Sequence, residues 1–180
     1  MPLGPPLPAQ PATFAALRAM QGLILSECLV GGASPFAALS AGDAAHFGVA
    51  SAVFVGRPKD FKDAYLPQCS LWVAEGSETI AVAGSAGRTY AELEALVQVA
   101  VDLRADWYAG EQQILAIRDA LLPVLAHHAR LGGSVSTVLA SAVRAGRGLC
   151  YEEVAGTVYR CYEARWWVRQ QWSVSGGRVV

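Results

Sequence analysis

The sequence predicts an α+β domain in which one mainly antiparallel β-sheet is packed by two α-helices. Three observations predict it. The first is the stretch Arg88 to Trp107, the longest uninterrupted pattern in the chain. There Ala91, Leu93, Ala95, Val97, Val99, Val101 and Leu103 alternate with a row that carries Glu92, Glu94, Gln98, Asp102 and Arg104. A period of two is the signature of a half-buried strand. The second is a pair of segments with helical spacing, one from Thr13 and one over Ile114 to His128. The third is the order of the short strands, whose brief connections favour antiparallel neighbours. A helical alternative exists for the long stretch, since Leu93, Leu96, Val97, Ala100 and Val101 also fit a three-four spacing and AELEAL is made of good helix formers. Strand is the stronger reading, because the polar row persists, the second half is rich in Val, and GSAG upstream supplies a turn.

Taken in order, residues 1–11 (MPLGPPLPAQP) are proline-rich and uncharged, which predicts a flexible arm ahead of a single α+β domain over residues 12–180. The PxxP spacings in the arm suit an SH3-type partner, but a tail or a segment lying on a neighbouring subunit is the simpler reading. TFAALRAMQGLILSECLVGG reads as the first helix, with Thr13 as N-cap and Gly31 and Gly32 as its stop. Phe14, Leu17, Met20, Leu23 or Ile24, and Cys28 form its buried stripe. The Ala-rich ASPFAALSAGDAAHFG is read as irregular. Ala52 to Gly56 reads as a short strand, followed by the polar loop RPKDFKDAYL. Pro67 opens a second strand in which Cys69, Leu71 and Val73 alternate with Gln68, Ser70 and Trp72, and Thr79 to Ala83 extends the sheet.

After the long strand, Ile114, Ile117, Leu121, Val124 or Leu125, and His128 share one face of the second helix. That helix is expected to bend or divide near Pro123 and to end at Gly132 and Gly133. Strands follow near Ser136 to Arg144 and from Thr157. In the last strand Val158, Tyr162, Ala164, Trp166, Val168 and Trp172 form one row, interrupted by Arg160 and Gln170. Tyr159, Glu163, Arg165, Trp167, Arg169 and Gln171 form the other, and AGRGLCYEEVAG between the strands is read as a loop.

With 180 residues the chain is long enough to bury a sizeable core. A hydrophobic share of 53% against 16% charged is high for a monomer, which implies apolar surface covered by other chains. The formal net charge of −1 gives no general pull toward nucleic acid or an anionic membrane. No uncharged apolar run reaches the ~20 residues a bilayer span requires, and the beginning lacks the pattern of a secretion signal, so a soluble protein is expected. Cys28, Cys69, Cys150 and Cys161 are far apart and form no CxxC, which suits buried thiols in a reducing compartment.

Catalytic and metal chemistry is weakly signalled. His127 and His128 are adjacent, about 100° apart on a helix, and cannot both serve one metal from it. Ser85 lies in GSAG, not GxSxG, and no phosphate-binding glycine loop occurs. Glu92 and Glu94 share a strand face, which suits a solvated or subunit-facing surface better than a glycosidase pair flanking a cleft. Glu152 and Glu153 read as loop charges. No catalytic residue, metal or cofactor is therefore assigned. The stronger signal is Arg165, Trp166, Trp167, Arg169 and Trp172 within one strand, because Trp and Arg dominate interface hot spots. Trp166 is read as core and Trp167 as an intersubunit contact. Base stacking on Trp167 is the rival, and the balanced net charge argues against it. The candidate subunit or tube interface is Arg57, Lys59, Phe61, Arg165, Trp167 and Arg169.

The succession FAALRAMQGLILSECL, VFVGRP, LPQCSLWVAEG, RTYAELEALVQVAVDL, EQQILAIRDALLPVL and GTVYRCYEARWWVRQQW resembles the tail terminator (tail completion) proteins of long-tailed bacteriophages, including those of phage-like gene transfer particles. The resemblance covers nearly everything after the arm. The arm and the Ala-rich Phe36 to Phe47 depart from it. It implies a structural virion protein, six copies of which form a ring that caps the tail tube, terminates its polymerisation and provides the tail-to-neck joining surface. The implied partners are further copies of the chain, the tail tube protein and a neck or head-completion protein. Genome DNA would pass through the ring without sequence-specific binding, no membrane is involved, and the place is the virion tail or neck after assembly in the host cytoplasm. The alternatives are another neck or head–tail joining protein, or a small oligomeric α+β enzyme or ligand-binding domain with a pocket between helix and sheet near Glu92, Glu94 and His128.

Overall fold

The structure is a computed structural model, which describes residues 12–57, 61–75, 79–83, 88–127, 138–175 and 178–179. In chain order the elements are α1 (Ala12–Glu27), α2 (Ala41–Phe47), β1 (Val53–Val55), a 3-10 turn (Asp63–Tyr65), β2 (Gln68–Val73), β3 (Thr79–Ala83), β4 (Arg88–Asp102), α3 (Trp107–His127), β5 (Val138–Val154), β6 (Thr157–Ser175) and β7 (Arg178–Val179). The fold is α+β. Its mostly antiparallel sheet runs β1-β2-β4-β6-β5, with β3 beside β4 and the short β7 against β6.

The long alternating stretch is a strand, as its period of two predicts, and it is the hub of the sheet. One edge of β4 carries β2 and β3 in succession, from Gln68 opposite Ala100 to Val73 opposite Ala95, then Thr79 opposite Glu92 to Ala83 opposite Arg88. The other edge pairs with β6 over its full length, from Arg88 opposite Ser173 to Asp102 opposite Tyr159. Ala95, Val97, Val99 and Val101 point to the helices, and with Leu71, Tyr162, Ala164 and Trp166 they meet Met20 and Ile24 of α1 and Ile114, Ile117 and Leu121 of α3. Each large aliphatic side chain sealed there contributes roughly 1.5–3 kcal/mol relative to exposure. α1 lies over β1 and β2, and α3 over β4 and β6.

The junction between β4 and α3 is fixed by charge and by close approach. Asp106 accepts the backbone N–H groups of Tyr108 and Ala109 and so caps α3. Arg104 binds both oxygens of Asp102 and reaches Asp63. On the helix-covered face, Arg160 lies 2.9 Å from Glu111 and 4.4 Å over the Tyr151 ring, which itself stacks on Trp107. That contact accounts for the arginine in an otherwise apolar row. Its Nε is buried without a hydrogen bond of good geometry, so the pair acts as an ion pair more than a directed bond.

Several expectations are corrected. The Ala-rich segment contains α2, a third helix with no buried residue; its start is a Ser40–Asp43 cap in which the Ser40 hydroxyl accepts the Asp43 N–H and donates to the carboxylate. Thr13 lies within α1, and Gly31 and Gly32 form a turn beyond the helix end, between bridged Val30 and Ala33. β1 and β2 are parallel, because the chain between them returns before pairing again. Trp107 opens α3 and does not belong to the strand, and α3 continues through Pro123 undivided. The predicted loop AGRGLCYEEVAG is largely strand, and its hairpin is the tight Ala155–Gly156 turn, both residues at positive φ. The arm, GSAG, His128 and the Gly132–Gly133 stop lie outside the described residues.

Candidate functional site

The period of two that sends Val97 and Val99 to the helices sends Glu94, Leu96, Gln98 and Ala100 to the opposite face. Register then decides what they meet. Glu94 lies beside Trp167 and near Arg165 on β6, and Gln98 lies opposite Glu163. On β5 a bulge between Ala145 and Gly148, the latter at φ +64°, displaces Arg147 so that its backbone N–H and guanidinium both reach Glu163. The result is a ladder of alternating charge across three strands: Glu152, Arg147, Glu163, Arg165, Glu94. Arg147 is 3.4 Å from Glu152 and 3.1 Å from Glu163, and Arg165 is 3.9 Å from Glu163 and 3.2 Å from Glu94. Gln98 donates to Glu152 at 2.6 Å.

Burial makes the ladder more than surface decoration. Glu163 and Gln98 are 4% exposed and Glu94 9%. A carboxylate taken that far out of water needs its partners, since an unpaired buried charge costs several kcal/mol. The bond to Glu163 is the main reason the Arg147 guanidinium is held above its ordinary pKa. The ladder floors a cleft of about 640 Å³, walled by Trp72, Leu96, Phe61 and Val154. Phe61 closes one end by stacking edge-on against Tyr159, whose hydroxyl donates to the Phe61 carbonyl.

Of the six residues predicted from sequence, the structure brings Arg57, Phe61 and Arg165 to this one cleft. Arg57 stands at its rim, 3.8 Å from Glu75, an exposed pair of little energetic weight. Trp167 and Arg169 are register neighbours of Glu94 and Glu92 on β6, with side chains outside the described set, and Lys59 is outside it altogether. Glu94 opens away from the helices, so a pocket between helix and sheet at that residue is excluded. At Glu94 and Gln98 the polar row is not solvated, because both side chains are buried within the ladder, and Glu152 is a member of the ladder instead of a loop charge. Sequence reasoning also missed Arg147 and Glu163. Glu163 shares a row with Arg165, a signal that was present, whereas Arg147 depends on a bulge that no periodicity reveals.

No family model matches the chain, and no curated protein matches it in sequence.

Chemically, the cleft presents planar guanidinium donors fixed by carboxylates, beside apolar walls. Such a surface suits charged recognition of another molecule, and its rim arginines keep donors for bidentate contacts. Among the described residues no group of three or more His, Cys, Asp and Glu side chains stands close enough to hold a metal ion, and no helix is long and apolar enough to cross a membrane.

Proposed function

We propose that this chain is a ring-forming structural protein of a phage-like virion, a tail terminator that caps the tail tube and joins it to the neck. The observation that carries the assembly part is a mismatch of lengths. At ~1.5 Å per helical residue and ~3.3 Å per strand residue, the 21 residues of α3 reach roughly 30 Å, while the 19 of β6 reach roughly 60 Å. α1 lies over the β1 and β2 side, so the described helices back about half of the β4–β6–β5 ribbon. A ribbon of three long strands in water gains most from a neighbour that covers it. Its sequence, with Leu93, Trp167, Val168 and Trp172, is rich in residues that anchor interfaces. A ribbon of one subunit laid on the next makes a heterologous contact, which closes as a ring when the rotation permits. The resemblance of the sequence to tail terminators suggests the specific role.

The test is native mass spectrometry of the protein alone and after mixing with phage tail tubes, with electron microscopy of the tube ends. Six copies per ring or per tube end are expected. A chain that stays monomeric and never co-purifies with tubes overturns the reading, and a position elsewhere in the neck replaces it with another head–tail joining role.

A further inference from the structure

A second cavity, of about 330 Å³, lies beside β1 at the edge of the sheet. Its floor is aromatic. Phe47 of α2, Phe54 of β1 and Tyr65 of the 3-10 turn form a triangle with ring centroids 5.0, 5.5 and 6.1 Å apart. Arg18, Arg57 and Lys62 line it, with His46, and among the described residues no carboxylate does. Of the described acids nearby, Asp43 is engaged by the hydroxyls of Ser40 and Tyr65, which hold its carboxyl below the usual range, and Glu75 stands 3.8 Å from Arg57 in an exposed, solvent-screened pair that a docked carboxylate can displace. Lys62 stands 5.5 Å over the Tyr65 ring. Arg18 is braced from the side: it donates to Gln21, which in turn donates to the Val53 carbonyl.

The backbone adds a direction. On either side of β1 the Gly56 N–H bonds to Leu71 and the Ala52 carbonyl accepts from Cys69, so by alternation Phe54, between them, turns its backbone groups to β2. Val53 and Val55 therefore turn theirs outward. Gln21 occupies the Val53 carbonyl, and Val55 lines the cavity.

We propose that this cavity docks an extended acidic segment of a partner protein, which pairs with the Val55 edge, seats one apolar side chain on the aromatic floor and sets its carboxylates against Arg18, Arg57 and Lys62. Edge pairing supplies orientation, the floor supplies the anchor, and the charge selects acidic over basic segments. A free small anion would use the cations alone and leave the edge and floor idle. The proposal stands whether or not the chain caps a tail.

The experiment is fluorescence anisotropy with the full chain and a fluorescein-labelled Asp-Glu-Phe-Glu-Asp peptide. Saturable, salt-sensitive binding is expected, weakened about tenfold by Arg57→Gln combined with Lys62→Gln, the loss of two partly screened contacts. Replacing Phe by Ser in the probe, or methylating the Phe nitrogen, weakens binding comparably. Both substituted residues are exposed, so circular dichroism of the double variant should match the parent; if it does not, Arg18→Gln alone carries the same test. Equal binding of a Lys-Lys-Phe-Lys-Lys probe, an unchanged affinity in the double variant, displacement by inorganic phosphate as effective as by the unlabelled peptide, or no binding at all overturns the proposal.

Discussion

Gly110 shows how closely the helix layer is fitted to the sheet. A methyl group there meets the Asp102 carbonyl at 3.0 Å and Leu103 Cδ2 at 2.5 Å. Gly110→Ala gains up to ~1 kcal/mol of helix propensity and loses about 1–3 kcal/mol to overpacking, so a net loss near 1 kcal/mol is expected in urea unfolding; a more stable variant would show that the contact yields. The cysteines give a second residue-scale test. Cys28, Cys69 and Cys161 are fully buried, and burial pushes the Cys28 thiol up to about 11 and the other two further. Raised values mean less thiolate at a given pH. Cys150, only partly buried, should therefore react first with iodoacetamide near neutral pH, read by peptide mass mapping, and early labelling of Cys69 would contradict the packing. Trp166 is the residue best foretold by its pattern, and it is 1% exposed in the core. That Glu94 is buried and not solvated was not legible, because strand alternation tells which face a side chain takes, not what lies over that face.

At the scale of elements, the ladder ties β4, β5 and β6 together, and its energetics are testable as a cycle. Arg147→Met leaves Glu163 buried with Arg165 as its remaining cation, and about 1 kcal/mol of destabilisation is expected, the modest size reflecting the solvent exposure of Arg147. Adding Glu163→Gln should recover part of that loss, and strictly additive effects in urea would mean the two are uncoupled. The β4–α3 junction adds a pH dependence. Arg104 hydrogen bonds hold Asp102 below its ordinary value, so its contribution is complete above the unfolded carboxylate pKa and is lost as pH falls through the lower folded one. Asp102→Asn should flatten the acid limb of stability below the ordinary carboxylate pKa of about 4. Most elements were legible from periodicity, β4 above all. In β5 the cause is local: Gly146 and Gly148 read as loop punctuation but belong to a bulge, where a left-handed residue continues a strand. α2 was also within reach, since SAGD is a capping sequence hidden in a run too short to show a period.

For the molecule as a whole, sheet order was the part least open to sequence, because β2 and β6 flank β4 from opposite ends of the chain. The cleft shares that limit: Arg57, Phe61 and Arg165 could be picked out by type, while their meeting depends on pairings of high sequence separation. If the β4–β6–β5 ribbon is the assembly surface, hydrogen exchange at residues 88–93 and 168–175 should slow by at least about tenfold on ring formation while α1 changes little; equal protection in both states would move the contact elsewhere. The parallel pairing of β1 and β2 carries a consequence of its own. A hairpin can be trimmed to two residues, but a chain that must re-enter a sheet in the same direction has to retrace its path. Between Gly56 and Pro67 it does so while carrying Phe61 to its seat on Tyr159. The described part of that connection is held at two points, Phe61 on Tyr159 and Tyr65 on Phe54, so residues inserted there are absorbed at small entropic cost.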